Sequence, residues 1–420
     1  MDHQKALSAI DQNRDFLLDT LRRLVSVNTV VPPGANYGKI CDVMEPIYKS
    51  FGFRTKRVIV PPGKLAAIPL PLKGDRVNLV ATREYGKPAA TIYCHMDVVP
   101  ADGNWTHDPF DAEVVGDSIY GRGVSDMKGQ IACLLTVIKV INDLKLSPQF
   151  DLNCIMCTDE EVGYYPGAYH LALEGYVKGH LVWLEPGFQE PVISGSAAGH
   201  LDAIISVIGK SSHSGKNWEG VNALEESVPI LVELVALKKE IQSRKSKDKV
   251  RMTPQGPVPL TGLFNIDIMH SGVKANIVPG LCEITCNRRY LAEEKFEDVK
   301  GEIEVAIAKG RKKSEALDVK VDWFHPYSPT LIDTKTKYTE RAMKVMRMVH
   351  GYKDFVVTGG SGSIDLGFVL SVVGHNNAVS FGPGMSVGST AHAVDEHVPI
   401  NNLLGMAKEL LLYLILDEPV

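Results

Sequence analysis

Short apolar runs alternate with amphipathic helical stretches along the first part of the chain. The runs at 57–60, 77–81, 90–94 and 152–158 predict strands, and apolar residues at helical spacing predict helices over 6–26, 38–51 and 128–145. Alternation of this kind is typical of an α/β sheet. Because ligands of such sheets bind at the carboxyl ends of the strands, the polar residues that directly follow these runs are the first candidates for function.

A second series of elements with a different order begins near residue 199. It predicts a strand over 200–208, a helix over 221–242, strands over 259–270 and 280–290, a helix over 294–309 and a strand over 317–324. This βαββαβ order indicates a ferredoxin-like α+β unit. The polar stretch 243–255 inside it is predicted to be an exposed loop. Beyond residue 328, a predicted helix over 337–350 and a Gly-rich turn at 359–367 follow.

The length of the chain bears on how these two series are combined. A chain of 420 residues is too long for one ordinary core and suits two compact domains. We therefore predict a discontinuous α/β domain made of residues 1–197 and 328–420. Residues 198–327 are predicted to be inserted into it as a separate α+β domain.

Composition narrows the range of partners. The 45 basic and 50 acidic residues give a net charge of −5, which provides no reason to expect nucleic acid or an anionic membrane. No apolar run reaches the ~18 residues of a spanning helix, and the N-terminal residues lack the apolar core of a signal peptide. A cytoplasmic protein with a small-molecule substrate is expected. Its seven cysteines lie mostly in apolar surroundings and are expected to be reduced thiols.

The strand predicted at 90–94 runs directly into His95, Met96 and Asp97. In an extended chain, residues two apart point to the same side, so Asp97 can accept the second imidazole N–H of His95 and fix its tautomer. Such an arrangement is typical of a metal ligand and its orienting carboxylate. A histidine and an aspartate in a surface turn remain the alternative for this segment alone.

Acidic residues follow other predicted elements. Asp126 begins a helix after a glycine-rich turn, where a carboxylate can cap the helix or bridge two metal ions. Asp159, Glu160 and Glu161 end the strand at 152–158, and three adjacent carboxylates repel one another unless cations compensate them. One carboxylate can then bind a metal ion while its neighbour acts as general base on a metal-bound water. A solvated acidic turn is the alternative.

Two further segments complete the candidate site. Glu185 directly follows the apolar run 181–184, and His392 lies in the distant segment from Gly388 to His397. Each residue alone is weak evidence. Their repeated placement at the ends of predicted strands favours a metal site over a series of unrelated surface turns.

Several of these motifs occur together in one known enzyme family. The segments His95-Met96-Asp97-Val98-Val99-Pro100, Trp105-Thr106-His107-Asp108-Pro109-Phe110, and Tyr120-Gly121-Arg122-Gly123 to Asp126-Met127-Lys128-Gly129 carry the similarity. The chain resembles, over essentially its whole length, the family of acetylornithine deacetylase, succinyl-diaminopimelate desuccinylase, aminoacylase and carboxypeptidase G. The resemblance implies a catalytic domain with a mixed sheet flanked by helices, an inserted lid and dimerisation domain, and two divalent ions. Zinc is expected, with cobalt or manganese as alternatives.

The resemblance also implies roles for individual residues. His95 and Glu185 would bind one ion and Glu161 and His392 the other, with Asp126 bridging both. Asp97 would orient His95, and Glu160 would take a proton from the bridging water and pass it to the leaving amine. The family often has a cis peptide after the residue that matches Asp126. A glutamate at 185, in place of aspartate, is typical of the deacetylase and desuccinylase branch.

In the inserted domain, the resemblance points to substrate contacts. His213, within the segment 209–215, matches a histidine that reaches across a homodimer to stabilise the oxyanion of the tetrahedral intermediate. Asn276 and Arg288 match positions that hold the carboxylate end of the substrate, and Gly360 of the Gly-rich turn is expected to contact it as well. Desuccinylases carry an arginine shortly after this turn, whereas residues 355–380 contain none. This departure argues against desuccinylation.

Three hypotheses follow from the sequence. The leading one is hydrolysis of the amide bond of an N-acyl amino acid or small dipeptide-like substrate by a hydroxide held between two metal ions. A second is hydrolysis of a non-peptide C–N bond, such as an aryl amide or carbamate, at the same centre. A third is a metal-binding protein without catalytic activity, which the presence of all five predicted ligands and Glu160 disfavours.

Overall fold

The chain forms two compact units. The computed structural model describes residues 3–66, 68–185, 187, 190–253, 255–384 and 390–417. Unit 1 comprises Met1–Ser194, Ile332–Val357 and Phe368–Val420, and unit 2 comprises Gly195–Leu331 and Thr358–Gly367. Unit 2 thus contains, besides the whole region 198–327 predicted as an insertion, the residues of the Gly-rich turn.

Helices and strands alternate along most of the chain. Up to residue 184 they are α1 (His3–Gln12), α2 (Arg14–Val25), α3 (Tyr37–Ser50), β1 (Arg54–Ile59), β2 (Val77–Arg83), β3 (Ala89–His95), β4 (Glu113–Val115), β5 (Ser118–Tyr120), α4 (Lys128–Asp143), β6 (Asp151–Cys157), α5 (Gly167–Leu173) and β7 (His180–Leu184). There follow β8 (Val192–Ala197), β9 (Gly199–Ile208), β10 (Ser212–His213), α6 (Ala223–Ser243), β11 (Lys245–Thr253), β12 (Gly256–Thr261), β13 (Leu263–Ser271), β14 (Ile277–Val278), β15 (Leu281–Tyr290), α7 (Phe296–Arg311), β16 (Asp318–Tyr327) and β17 (Thr330–Leu331). The last elements are α8 (Lys337–His350), β18 (Val356–Gly360), α9 (Leu366–Val373), β19 (Ala378–Phe381), β20 (His397–Pro399) and α10 (Ile400–Ile415).

Unit 1 is built on a mixed six-stranded sheet, which confirms the predicted fold class. Its strand order is β1-β2-β6-β3-β7-β19. The strands β6, β3, β7 and β19 run parallel to one another, whereas β2 is antiparallel to both of its neighbours, β1 and β6. The parallel strands are buried over nearly their whole length, which explains why they read as continuous apolar runs in the sequence. Their carboxyl ends meet at one edge of the sheet.

Two helices of unit 1 are apolar on almost every side. Nearly all residues of α4 and α10 are buried, and α4 packs against both α2 and α10. A helix that is apolar all round is typical of a protein interior. The predicted helix over 6–26 is two helices that meet at Asn13, whose backbone and side-chain amides both donate to the carbonyl oxygen of Ala9.

Unit 2 contains the predicted βαββαβ order. Strands β13, β15, β9 and β16 form an antiparallel sheet in that spatial order, which is the ferredoxin-like arrangement. Along β9 burial alternates residue by residue, so one face of the strand meets the core. Leu201, Ile205, Ile230 and Ile303 are among the buried residues that join this face to α6 and α7.

Within the stretch 243–255, predicted to be an exposed loop, residues 245–253 form a strand. Strand β11 pairs antiparallel with β12, and its residue Val250 pairs in parallel with Thr358 of β18. The prediction was wrong because the strand is polar and carries little hydrophobic alternation. Main-chain pairing with the following strand β12 and with the distant strand β18 stabilises it, and local sequence does not report the pairing with β18. Among the described residues, no helix combines the length and apolar character needed to cross a membrane.

Candidate metal centre

The ends of three parallel strands bring predicted ligands to one edge of the unit 1 sheet. His95 is the last residue of β3, Glu160 and Glu161 lie in the turn after β6, and Glu185 directly follows β7. Asp126 comes from the turn before α4, and its peptide bond to Met127 is cis, as the resemblance implied.

His392 precedes β20. Of the predicted segment around it, Gly388 and Ser389 lie outside the described residues.

The five predicted ligands form two groups that share one residue. Donor atoms of His95, Asp126 and Glu185 lie within 4.8 Å of one another, and so do donor atoms of Asp126, Glu161 and His392. The two carboxylate oxygens of Asp126 face different imidazoles: Oδ1 is 3.1 Å from His95 Nε2, and Oδ2 is 3.2 Å from His392 Nε2. His392 Nε2 also lies 2.9 Å from Glu161 Oε1. Asp126 is therefore placed between two potential ion sites.

The donor set fits divalent metal ions. Nitrogen and oxygen ligands of one tetrahedral zinc ion, each bound at about 2.0–2.2 Å, lie roughly 3.3 Å apart. The measured separations of 2.9–3.2 Å between imidazole and carboxylate atoms are close to this value. Imidazole and carboxylate ligands suit zinc, cobalt and manganese alike.

The electrostatics of the centre favour cations. Burial alone lowers the pKa of His95, but its hydrogen bond to Asp126 and the charge of Asp97 raise that pKa well above the usual value. Hydrogen bonds to Asp126 and Glu161 raise the pKa of His392 to about 10. Burial, followed by the charge of Asp126, raises the pKa of Glu161. The site thus attracts protons, and metal ions would compete with them for the same donor atoms.

Asp97 is fully buried beside His95. Its Oδ2 atom accepts a hydrogen bond of 2.9 Å from the backbone N–H of Glu161. His95 Nδ1 lies 3.1 Å from the main-chain oxygen of Asp97 and 3.7 Å from its Oδ1. The main-chain oxygen of Asp97 is therefore closer to the imidazole than its carboxylate is, and Asp97 also joins His95 to the acidic turn.

Glu160 is buried in the same turn and is 6% exposed. Its carboxylate, together with donor atoms of His95 and Glu161, forms a third group within 4.8 Å. Neither ion group described above requires Glu160. Its carboxylate thus lies beside donor atoms of both ion groups.

The first acid of the turn is compensated by an arginine that the sequence did not reveal. Asp159 has a left-handed backbone, with φ at +61°, and its side chain is 1% exposed. Its Oδ2 is 3.1 Å from Arg76 Nε, and its Oδ1 accepts a hydrogen bond of 3.1 Å from Tyr37. Burial, reinforced by the charge of Asp97, raises the pKa of Asp159 to about 6 against the lowering effect of Arg76. The turn is thus held from within unit 1.

A second ion pair, between Arg122 and Glu396, was also missed. Arg122 Nη1 donates to Glu396 Oε2 at 2.5 Å, and both side chains are almost completely buried. Burial raises the pKa of Glu396 to about 7, although Arg122 lowers it. Both residues stand next to predicted ligand segments, which was the only sequence signal for them. Their separation of 274 residues hid the contact.

Two of the residues predicted to act on the substrate lie at a small antiparallel sheet of unit 2, which is formed by β10 and β14. His213 of β10 pairs with Ile277 of β14, and the backbone N–H of Ser214 donates to the main-chain oxygen of Asn276. The backbone N–H of Gly215 donates to His213 Nδ1 at 3.0 Å. Because that nitrogen accepts, the proton of a neutral ring lies on Nε2, where it can be donated to an oxyanion.

The other two predicted contacts in unit 2 differ in exposure. Arg288 is fully buried, and its guanidinium donates to Glu294 Oε1 at 2.5 Å and to the main-chain oxygen of Arg289 at 2.5 Å. Gly360, at the end of β18, is exposed. Arg289 points to the other face of the sheet, is half-buried, and donates to Ser363 Oγ at 2.9 Å in the Gly-rich turn.

Comparisons with known proteins agree with this geometry. Residues 91–415 match the model of peptidase family M20/M25/M40. The chain is 26% identical over 340 residues to succinyl-diaminopimelate desuccinylase of Xanthomonas oryzae pv. oryzae (strain MAFF 311018), covering 79% of this chain and 84% of the relative. It is 29% identical over 242 residues to acetylornithine deacetylase of Pectobacterium atrosepticum, covering 57% and 60%.

The fold is similar to that of human carnosine dipeptidase 1, with a TM-score of 0.78 at 17% identity and 98% of each chain covered. This likeness concerns the fold alone. The family match, in contrast, extends over most of the sequence and includes five of the predicted ligands. The chain therefore belongs to peptidase family M20/M25/M40 and is a metal-dependent hydrolase of C–N bonds.

Proposed function

We propose that this enzyme hydrolyses the amide bond of N-acyl amino acids or small dipeptide-like substrates at a centre of two divalent ions. The observation that carries the proposal is the position of Asp126, whose two oxygens belong to two ligand groups at once. The named relatives remove succinyl or acetyl groups from amino-acid amines, which supports the same bond type.

The chain's own residues provide the proton transfers. Bound divalent ions would lower the pKa of water and polarise the substrate carbonyl. Glu160 takes the proton of the attacking water and passes it to the nitrogen of the leaving amine, since its carboxylate is close to both ligand groups without being needed by either. Asp97 keeps the imidazole of His95 in place. We assign to His213 the role of oxyanion donor through its Nε2–H.

Glu160→Gln tests the proposed base. We expect kcat toward N-acetyl amino acids to fall at least about 100-fold in enzyme loaded with zinc, cobalt or manganese, because the proton acceptor is lost. Bound metal, measured by elemental analysis, should stay at the wild-type level. The exposed Glu174→Gln serves as the matched control and should retain full turnover.

Near wild-type turnover of Glu160→Gln would remove Glu160 from this role. Loss of metal from the variant would instead make it a ligand.

Within unit 2, we assign the substrate carboxylate to Arg289 rather than to Arg288. The guanidinium of Arg288 is enclosed and already donates to Glu294, so binding a substrate would break a buried ion pair. Arg289 is half-buried and adjoins Ser363 of the Gly-rich turn, on the same unit as Asn276 and Gly360. Its planar guanidinium can bind a carboxylate in a bidentate manner.

A second candidate function is hydrolysis of a non-peptide C–N bond, such as an aryl amide or carbamate. It is favoured by the absence of arginine from residues 355–380, where desuccinylases carry one. A panel that sets N-acyl amino acids and dipeptides against aryl amides and carbamates separates the two. Higher kcat/KM on the first class supports the leading proposal, and higher kcat/KM on the second supports the alternative.

A further inference from the structure

The carboxylate of Glu396 lies inside the turn that carries Asp126. Its Oε1 atom accepts hydrogen bonds from three backbone N–H groups of the turn: that of Gly123 at 3.1 Å, of Ser125 at 2.9 Å and of Asp126 at 3.2 Å. The side chain is completely buried. Each of these bonds constrains the direction of one N–H group, so Glu396 fixes the course of the backbone immediately before the shared ligand.

Arg122 extends this arrangement to two other ligand segments. Besides its bond to Glu396, it donates from Nη2 to the main-chain oxygen of Pro100 at 3.0 Å and to that of His392 at 3.5 Å. Its guanidinium carbon lies 5.1 Å from the ring centre of Trp105. One buried ion pair therefore connects the segment after His95, the turn of Asp126 and the segment of His392.

The pair adds to main-chain bonds that already join these parts of the chain: β20 pairs with β5, and the backbone N–H of Gly121 donates to the main-chain oxygen of Glu396. His392 has a left-handed backbone, with φ at +66°, and stands four residues before Glu396. Its ring approaches both Asp126 and Glu161. A small shift of either backbone would separate donor atoms that must meet within a few tenths of an ångström to bind an ion.

We propose that Glu396, with Arg122, is a positioning residue that sets the distance between Asp126 and His392. The ligand group Asp126, Glu161 and His392 depends on it more strongly than the group His95, Asp126 and Glu185. Glu396 holds the backbone of Asp126, and Arg122 donates to the main-chain oxygen of His392, so both contacts lie on members of the former group. This inference rests on the proposed function only in taking the two donor groups as ion sites.

Zinc binding tests the inference without any need for catalysis. Zinc is titrated into metal-free wild type and Glu396→Gln in competition with a chromophoric chelator. Partners of metal ligands typically contribute 10- to 100-fold to affinity, so we expect the weaker of the two zinc affinities to fall at least about 10-fold. The kcat of the zinc-loaded variant should fall while KM changes less than about 3-fold.

Two further variants separate positioning from loss of folding. Arg122→Lys keeps the positive charge beside Glu396 and should recover part of the zinc affinity that Arg122→Gln loses. Glu409→Gln removes another buried carboxylate of unit 1, which pairs with His350 at 2.9 Å on α8 and α10. It should lower thermal stability without changing zinc affinity.

Unchanged zinc affinity in both Glu396→Gln and Arg122→Gln would overturn the inference, and so would an equal loss in Glu409→Gln. If wild type binds two zinc ions but cleaves no amide in the substrate panel, the proposed function fails. The inference about Glu396 is then still decided by the titration.

Discussion

Two adjacent arginines of β15 have opposite surroundings, and the proposed substrate contact of Arg289 rests on this difference. Along β15 burial alternates, so Arg288 faces the core with Cys286 and Tyr290 while Arg289 faces the other side of the sheet. Arg288 is a structural cation that pairs with Glu294. Arg289 contacts Ser363 and Asn287 through its guanidinium and is half-buried.

Substitution of Arg289 should therefore weaken substrate binding. We expect Arg289→Met to raise KM for an N-acyl amino acid about 10- to 100-fold with a smaller change in kcat, because a charged hydrogen-bond donor to the carboxylate is lost. For an N-acyl amine that lacks the carboxylate, the KM of the same variant should equal that of the wild type. Steady-state kinetics on the two substrates measure this difference.

The exposed Arg251 of β11 offers a matched control, since Arg251→Met removes an arginine of unit 2 without a role in the proposal. An unchanged KM in Arg289→Met would contradict the assignment.

The two arginines also show which residue positions can be predicted from the sequence and which cannot. The ligands His95, Asp126, Glu161, Glu185 and His392 were predicted because each follows a recognisable strand or turn, and the structure brings their donor atoms together. The choice between Arg288 and Arg289 depends on strand register, because a shift of one residue moves a side chain to the opposite face. Register is set by pairing with distant strands, and the sequence alone does not contain it.

At the level of elements, the turn after β6 depends on a buried network within unit 1. Asp159 starts the turn in a left-handed conformation, accepts a hydrogen bond from Tyr37 and pairs with Arg76. Arg76 in addition donates to the main-chain oxygens of Lys73 and Pro33. The network thus ties the turn that presents Glu160 and Glu161 to segments that contribute no ligand.

Removal of the carboxylate from this network should be costly. We expect Asp159→Ala to destabilise unit 1 by about 3–5 kcal/mol, because Arg76 would remain as a buried charge without its partner. Tyr37→Phe removes one hydrogen bond of the same carboxylate and should cost only about 1 kcal/mol. Urea unfolding followed by circular dichroism compares the two variants with wild type, and equal losses would refute this account of the turn.

Strands were predicted correctly from the sequence where nearly the whole strand is buried. The parallel strands β3, β6 and β7 were recognised from uninterrupted apolar runs that are buried on both faces. Strand β11 was missed since its exposed lysines and arginine give no such signal and its partner β18 lies more than 100 residues away. The Arg76–Asp159 and Arg122–Glu396 pairs were missed because 83 and 274 residues separate their members.

At the level of the whole molecule, unit 2 has an unpaired edge and an apolar helix surface. Strand β13 is at the edge of its sheet, and nothing pairs with its outer side among the described residues. Its residues Ile268 and Met269 are exposed. Helix α6 exposes Leu224, Val228, Val232 and Val235, which recur at helical spacing along one stripe. Such surfaces are typical of interfaces, and they support the prediction of a homodimer formed through unit 2.

In the proposed homodimer, His213 of one copy would act together with Glu160 of the other copy, so the two residues can be tested on separate chains. If His213 acts in the site of the other copy, a mixture of Glu160→Gln and His213→Ala chains, unfolded and refolded together, should regain activity. Half of the randomly formed dimers would then hold one complete site, so the mixture should reach about a quarter of wild-type activity. Either variant refolded alone should stay inactive.

The exposed valines of α6 provide the control. Adding Val228→Glu and Val232→Glu to both chains places desolvated charges in a two-fold interface, where each substitution counts twice, and should weaken the dimer at least about 100-fold. Light scattering should then show monomers, and the mixture should recover nothing. If activity recovers without dimers, or if dimers form and activity does not recover, His213 does not act across the interface. A wild type that is monomeric at working concentration would contradict the homodimer itself.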